Sequence, residues 1–143
     1  MRLNRALLAV LAASCINPGE PSVRPVATVT NLRPGFGSAL LVDFEFRNTT
    51  PRALYLLECG GSVFTSVSVK EPNGRDDTWS TICLGIWLVN RIPIPSGARH
   101  RATTVVAVRP GGTYRLTVQY LTDSTATQPE LVRAPAFRYQ PST

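Results

Sequence analysis

One histidine, one lysine and three cysteines in 143 residues leave little from which to build reactive chemistry. His100 stands between Arg99 and Arg101, and no serine or cysteine motif offers it a nucleophile to activate. It reads as an exposed histidine at a strand end. Zinc takes four ligands as a rule, which one histidine and cysteines with other uses do not supply. Asp76 and Asp77 follow Gly74, but the regularly spaced carboxylates of a calcium loop are missing, so both read as solvated loop acids. Gly60-Gly61 and Gly111-Gly112 are turn pairs without a following helix, which excludes a phosphate-binding loop. Positive charge is scattered: every basic residue except Lys70 is arginine, and no basic run of the kind that grips nucleic acid appears. The sequence therefore points to no catalytic residue, no metal, no cofactor and no nucleic-acid partner.

Helical periodicity is also missing beyond the first fourteen residues. There Arg2 and Arg5 make a positive start, Ala6 to Ala13 is an apolar run, and Ala12-Ala13-Ser14 are the small residues a signal peptidase needs. Residues 1–14 read as an export signal, too short for a spanning helix of roughly 20 residues. Leu11-Ala12-Ala13-Ser14-Cys15 resembles the bacterial lipobox, although Ala12 stands where that pattern prefers Leu, Val or Ile. The resemblance implies that Cys15 is lipidated and becomes the mature N-terminus; ordinary cleavage after Ser14 is the alternative. Ile16 beside the cysteine, rather than an acidic residue, favours the outer membrane by analogy with enterobacterial sorting, if the host has one. Residues 15–25, with Pro18, Gly19 and Pro21, form a short tether that lets an anchored domain stand off the bilayer. With Arg2 and Arg5 removed, the formal charge of +6 falls by two to +4.

Assigning Cys15 to the lipid leaves Cys59 and Cys83 as an even pair. In an exported domain they read as a disulfide, which on the chain-entropy view stabilises by roughly 3 kcal/mol; the alternative is two unconnected small core residues.

What is abundant is alternation. Arg101–Val108 and Thr113–Tyr120 are β-rich runs separated by Arg109-Pro110-Gly111-Gly112, which reads as a hairpin. In the second run Tyr114, Leu116, Val118 and Tyr120 share a face. Ala39–Arg47 alternates as cleanly, with Leu40, Val42, Phe44 and Phe46 inward, so the two faces should pack as facing sheets. Val26–Asn31, Arg52–Cys59, Val63–Lys70, Thr78–Leu84 and Val132–Tyr139 supply further strands, the last restricted to an edge by Pro135. Leu32 to Gly37, Glu71-Pro72-Asn73-Gly74 and Thr122 to Glu130 read as connections, and Gly85–Ile94 as a buried loop or short edge piece. The expected fold is all-β: a single immunoglobulin-like antiparallel β-sandwich of about seven or eight strands over residues 26–143, preceded by the signal-peptide helix and tether.

The order of features from Ala39 to Tyr139 carries a second resemblance. A strand ending in Phe-Arg-Asn-Thr-Thr-Pro is followed by Glu58-Cys59-Gly60-Gly61, by Asn73-Gly74 before Trp79 and Cys83, by Pro95-Ser96-Gly97, and by Pro110-Gly111-Gly112-Thr113-Tyr114-Arg115-Leu116. This resembles the immunoglobulin-like domains of uncharacterised bacterial envelope lipoproteins and, more distantly, intracellular proteinase-inhibitor-like domains. It implies a fold and not an activity. Export and lipidation depart from an intracellular inhibitor, and no inhibitory residue can be matched.

Trp79, four residues before Cys83, could pack on the disulfide as tryptophan does in immunoglobulin domains. Trp87 and Arg91 have the character of a binding hot spot, on an end of the sandwich where Gly60-Gly61 and Gly85–Ile94 should converge if the disulfide forms. If Trp87 instead caps the sandwich, it is core. The expected function is a non-catalytic, lipid-anchored envelope module that binds the membrane through its anchor and another envelope protein through its domain. An inhibitor or chaperone-like binder of a secreted protease is the alternative. Cys15→Ser is expected to release the protein from the membrane fraction; unchanged detergent partitioning, with an unmodified mass at Cys15 in the parent, would refute the anchor.

Overall fold

A computed structural model describes residues 23–85 and 88–141. The signal peptide, Cys15 and most of the tether lie outside the described residues, as do Ile86 and Trp87. Of the described residues 57% are strand and 1% helix, an antiparallel, sandwich-like all-β fold. Among the described residues eleven strands form: β1 (Val26–Pro34), β2 (Ala39–Arg47), β3 (Leu54–Cys59), β4 (Ser62–Val63), β5 (Thr65–Lys70), β6 (Asp76–Ser80), β7 (Val89–Ile94), β8 (Arg99–Ala107), β9 (Thr113–Leu121), β10 (Glu130–Arg133) and β11 (Phe137–Arg138).

One sheet has the order β1-β2-β8. The other is built around β9, with β5 and then β6 on one edge, β3 and β7 joining farther along that edge, and β10 and β11 on the opposite edge. The alternating residues expected to face inward do so. Leu40, Val42, Phe44 and Phe46 from β2 are buried with Tyr114, Leu116, Val118 and Tyr120 from β9 in one core, and the Phe46 and Tyr120 rings meet at 5.9 Å. Each such side chain removed from water stabilises by roughly 1.5–3 kcal/mol.

The expected hairpin between the Arg101–Val108 and Thr113–Tyr120 runs does not form. β8 pairs along its length with β2, from Ala39↔Ala107 to Arg47↔Arg99, while β9 belongs to the other sheet. Arg109 to Gly112 is thus a crossing between sheets. The Tyr114 hydroxyl accepts the Arg109 N–H at 2.6 Å and donates to the same residue's carbonyl at 3.3 Å. Gly112 lies so close to β5 that a Cβ there would stand 2.6 Å from Cγ2 of Val69. The glycine pair therefore permits the crossing to come in close against the neighbouring strand β5, a need that looks the same in sequence as a tight turn. Arg109 holds the crossing from above: its guanidinium lies 5.4 Å from the Trp79 ring centre and meets Glu71 at 3.3 Å and Asp77 at 3.4 Å.

Other boundaries move for identifiable reasons. β1 runs on to Pro34 because the register shifts between Val29 and Asn31, a bulge that turns Leu32 inward on the same face as Ala27 and Val29. Arg33 then reaches Asp43 across the pair at 2.7 Å, and that bond, with another from Thr103, holds the Asp43 carboxyl down at about 2. Residues 89–94 of the ambiguous Gly85–Ile94 stretch form a strand paired with β3 along its length, at an outer edge that tolerates Pro93. The Val63–Lys70 run splits at Phe64, and the last strand divides into β10 and β11 around Pro135. β6 begins at Asp76 and ends before Cys83.

Asn48 closes the end of the sandwich where β2 leaves. It is fully buried, donating from Nδ2 to the carbonyls of Arg52 and Ile94 and accepting at Oδ1 from the Thr50 N–H and hydroxyl. Its backbone bonds Ala98 and Gly97, so one side chain ties the β2–β3 and β7–β8 connections together. Tyr114→Phe is expected to keep the ring stacked on Phe137 but leave the Arg109 N–H unpartnered, costing roughly 1–3 kcal/mol in a urea melt. A neutral result would show that the hydroxyl does not hold the crossing.

Candidate functional site

Gly60 and Gly61 both adopt positive φ, 58° and 86°, which lets β3 reverse directly into β4. Phe64, just past the β3–β4 hairpin, bridges two strands: it donates to the Leu57 carbonyl of β3 while its own carbonyl receives the Gln119 N–H of β9. At the hairpin's tip Cys59 pairs with Val89 of β7 and is disulfide-bonded to Cys83, with their α-carbons 5.7 Å apart. The convergence expected from the sequence is therefore present: the Gly60-Gly61 turn, the segment after β6 and the start of β7 meet at one covalent junction. Trp87 lies outside the described residues. Arg91 is exposed on β7, and its guanidinium is taken by the Ser124 carbonyl of the β9–β10 loop.

The junction is apolar on its outside. Ile82 is 81% exposed, Leu84 91%, and Leu88 is also open to solvent. Ile82 further lines a cleft of about 200 Å³ between the two sheets, facing Val105 and Thr103 of β8 across Ser62 and Thr81. The cleft floor is a hydroxyl relay. Thr81 donates to the Val63 carbonyl at 2.9 Å and accepts the Thr65 N–H at 3.1 Å, while Thr65 donates to Thr104 at 3.0 Å and so links one sheet to the other. Thr65 is buried, which makes that satisfied bond a fixed part of the wall.

β8 itself is an edge. Among the described residues only β2 pairs with it, so a nine-residue strand presents its second side, with Val105 56% exposed beside the cleft. An unpaired strand edge is a template for another extended chain, with alternate side chains read by neighbouring pockets. The remaining sequence candidates lie elsewhere. His100 is at the start of β8 opposite Phe46, half-buried rather than exposed, and Asp77 pairs with Arg75 and Arg109. Trp79 shares the inner face with Val67 beneath Arg109. Among the described residues no group of three histidine, cysteine or carboxylate side chains could hold a metal ion, and no helix is long and apolar enough to cross a membrane.

Comparison with known proteins adds a single point. No protein-family model matches the chain, and no curated protein does. Among solved structures it is similar to a Bordetella pertussis protein provisionally named ApaA, at 14% identity and a TM-score of 0.56, over 80% of this chain and 90% of that one. That likeness is one of fold. A structural-genomics target named SoR45 aligns at 13% identity and a TM-score of 0.43, over 80% of this chain and 81% of the target.

Sequence reading found the disulfide and its turn but missed the exposed pair flanking Cys83 and the free edge of β8. The signal for the first was present, since Ile82-Cys83-Leu84 puts large apolar residues on both sides of a cysteine. The second was hidden by the hairpin reading, which would have covered β8 with β9. Cys59→Ser/Cys83→Ser is expected to lower stability by roughly 3 kcal/mol in a denaturant melt, with core amide protection around Val118 retained. Undiminished stability would mean that the bridge does not constrain the unfolded chain.

Proposed function

We propose that this chain is a non-catalytic lipoprotein of the bacterial cell envelope whose immunoglobulin-like sandwich captures an extended segment of another envelope protein along β8. The observation that carries the reading is the open edge of β8 beside the Ile82–Val105 cleft. Main-chain hydrogen bonds along such an edge supply affinity, and the apolar side chains at the disulfide junction supply the contact that excludes water from them. The immunoglobulin-like assignment is supported by the β1-β2-β8 sheet opposing a sheet in which β9 lies between β3 and β10, and by Tyr114 bonding back to the backbone where the chain changes sheets, as in a tyrosine corner. Lipidation at Cys15 is supported by the small residues before it and the proline-containing segment after it, and bacterial origin by the fold shared with the Bordetella protein.

A photo-crosslinking residue placed at Thr103 in cells is expected to trap an envelope protein, and Val105→Lys with Ile82→Asp to abolish trapping. Charge at an edge blocks strand addition, while surface changes of this kind leave stability within about 0.5 kcal/mol. Trapping that survives both changes, or turnover of hydrolase substrates by the purified chain, would overturn the reading. A trapped partner that is a secreted protease, inhibited on binding, would select the inhibitor alternative.

A further inference from the structure

The outer face of the β1-β2-β8 sheet is not uniform. At the end where the N-terminal segment enters, Arg47 of β2 stands in register with Val26, the first residue of β1, and with Arg99 of β8 on its other side. One pair farther along, Arg101 stands opposite Glu45, and Glu45 is shared: Arg99 meets it at 3.6 Å and Arg101 at 3.2 Å. Two guanidinium groups thus share one carboxylate, and Arg47, two residues along β2 on the same face, adds a third positive charge beside them. Arg101 remains 80% exposed and Arg99 55%. Like charges directly opposite on neighbouring strands are destabilising, so the Arg47–Arg99 pair is a cost that an external anion would relieve. At the far end of the same face the charges balance, because Arg33 is matched by Asp43 in a two-bond contact.

The place of this group relative to the rest of the chain identifies its partner. Arg24, two residues before β1, is fixed at the same end by the Thr49 hydroxyl bonding its carbonyl. Cys15 lies eleven residues before Val26. A coil of that length has an end-to-end distance of roughly 20 Å, less than the span of the domain in any extended direction. We infer that the Arg47–Arg99–Arg101 face is a contact surface for anionic lipid headgroups, which seats the sandwich on the bilayer by the end at which its tether enters. The orientation rests on the reading of Cys15 as the anchor; the attraction to an anionic surface rests on the arginines. A lipid at Cys15 with a basic patch makes a two-part attachment whose second part is sensitive to salt.

The test uses the full exported chain on vesicles of pure phosphatidylcholine and on vesicles with about 30% phosphatidylglycerol, reading amide exchange over Arg99–Ala102 on each. Binding to the neutral vesicles reports the anchor alone, so failure there removes the orientation without touching the arginine contact. On the anionic vesicles exchange is expected to slow by about tenfold or more, since each arginine near such a surface multiplies attraction several-fold. The slowing should vanish at about 0.5 M salt, where screening acts within roughly 4 Å. It should also vanish in Arg47→Gln/Arg99→Gln/Arg101→Gln and persist in the corresponding triple lysine variant, which keeps the charge and controls for folding. Equal exchange on the two vesicle types, or slowing that survives the glutamine changes, would overturn the inference.

Discussion

The passage of the chain from β8 to β9 is the constraint on which the arrangement of both sheets depends. Two strands adjacent in sequence are held in different layers, and each then pairs with a strand distant in sequence. Tyr114 and Gly112 make this possible from opposite directions: one supplies a hydroxyl to backbone groups that would otherwise be buried without partners, the other removes a side chain that would collide with Val69. Arg109 adds a lock on the outside, pinned between a tryptophan face and two carboxylates. Once β8 is committed to β2, no described strand pairs with its second edge, which β4 approaches from the facing sheet, and the cleft beside Thr104 follows.

Polar groups perform the closing elsewhere as well. Among the described residues Asn48 and Thr65 are the buried polar ones, and each uses its donors and acceptors to join segments that apolar packing alone would leave free to slide. Asn48 fixes the end at which the tether enters, and Thr65 fixes the wall of the cleft. The disulfide does the same covalently at the rim. The interior of the sandwich is apolar throughout, while its ends are set by a handful of specific hydrogen bonds.

This division explains how much could be read from the sequence. The inward faces of β2 and β9 were legible residue by residue, since period-two alternation follows directly from strand geometry and both strands are half-buried. The Cys59–Cys83 bridge was legible from counting. Which strands pair was not, because alternation states what a strand buries and says nothing of its neighbour. The bulge in β1 was invisible for a related reason: it inverts the pattern midway, so Leu32 fell out of phase and was assigned to a connection. Asn48 sat in plain sight in an Asn-Thr-Thr-Pro turn, but a turn asparagine and a buried one bonding two distant carbonyls have the same local sequence. For the candidate site, the covalent junction was foreseen and the edge beside it was not.

The pairing of β2 with β8 has a kinetic consequence. Leu40 meets Val106 and Phe46 meets His100, while β3 waits for β7 and β9, and β5 for β9. Apart from the β3–β4 and β5–β6 hairpins and the β1–β2 pair, each pairing waits on a later segment: β3–β7 on residue 94, β2–β8 on residue 107, and every pairing with β9 on residues up to 121. Loop closure must precede its reward across most of these contacts, which places such topologies in the millisecond-to-second range of folding times. A chain emerging N-terminus first would therefore remain open until its last third appeared, with the apolar face of β2 uncovered for that interval.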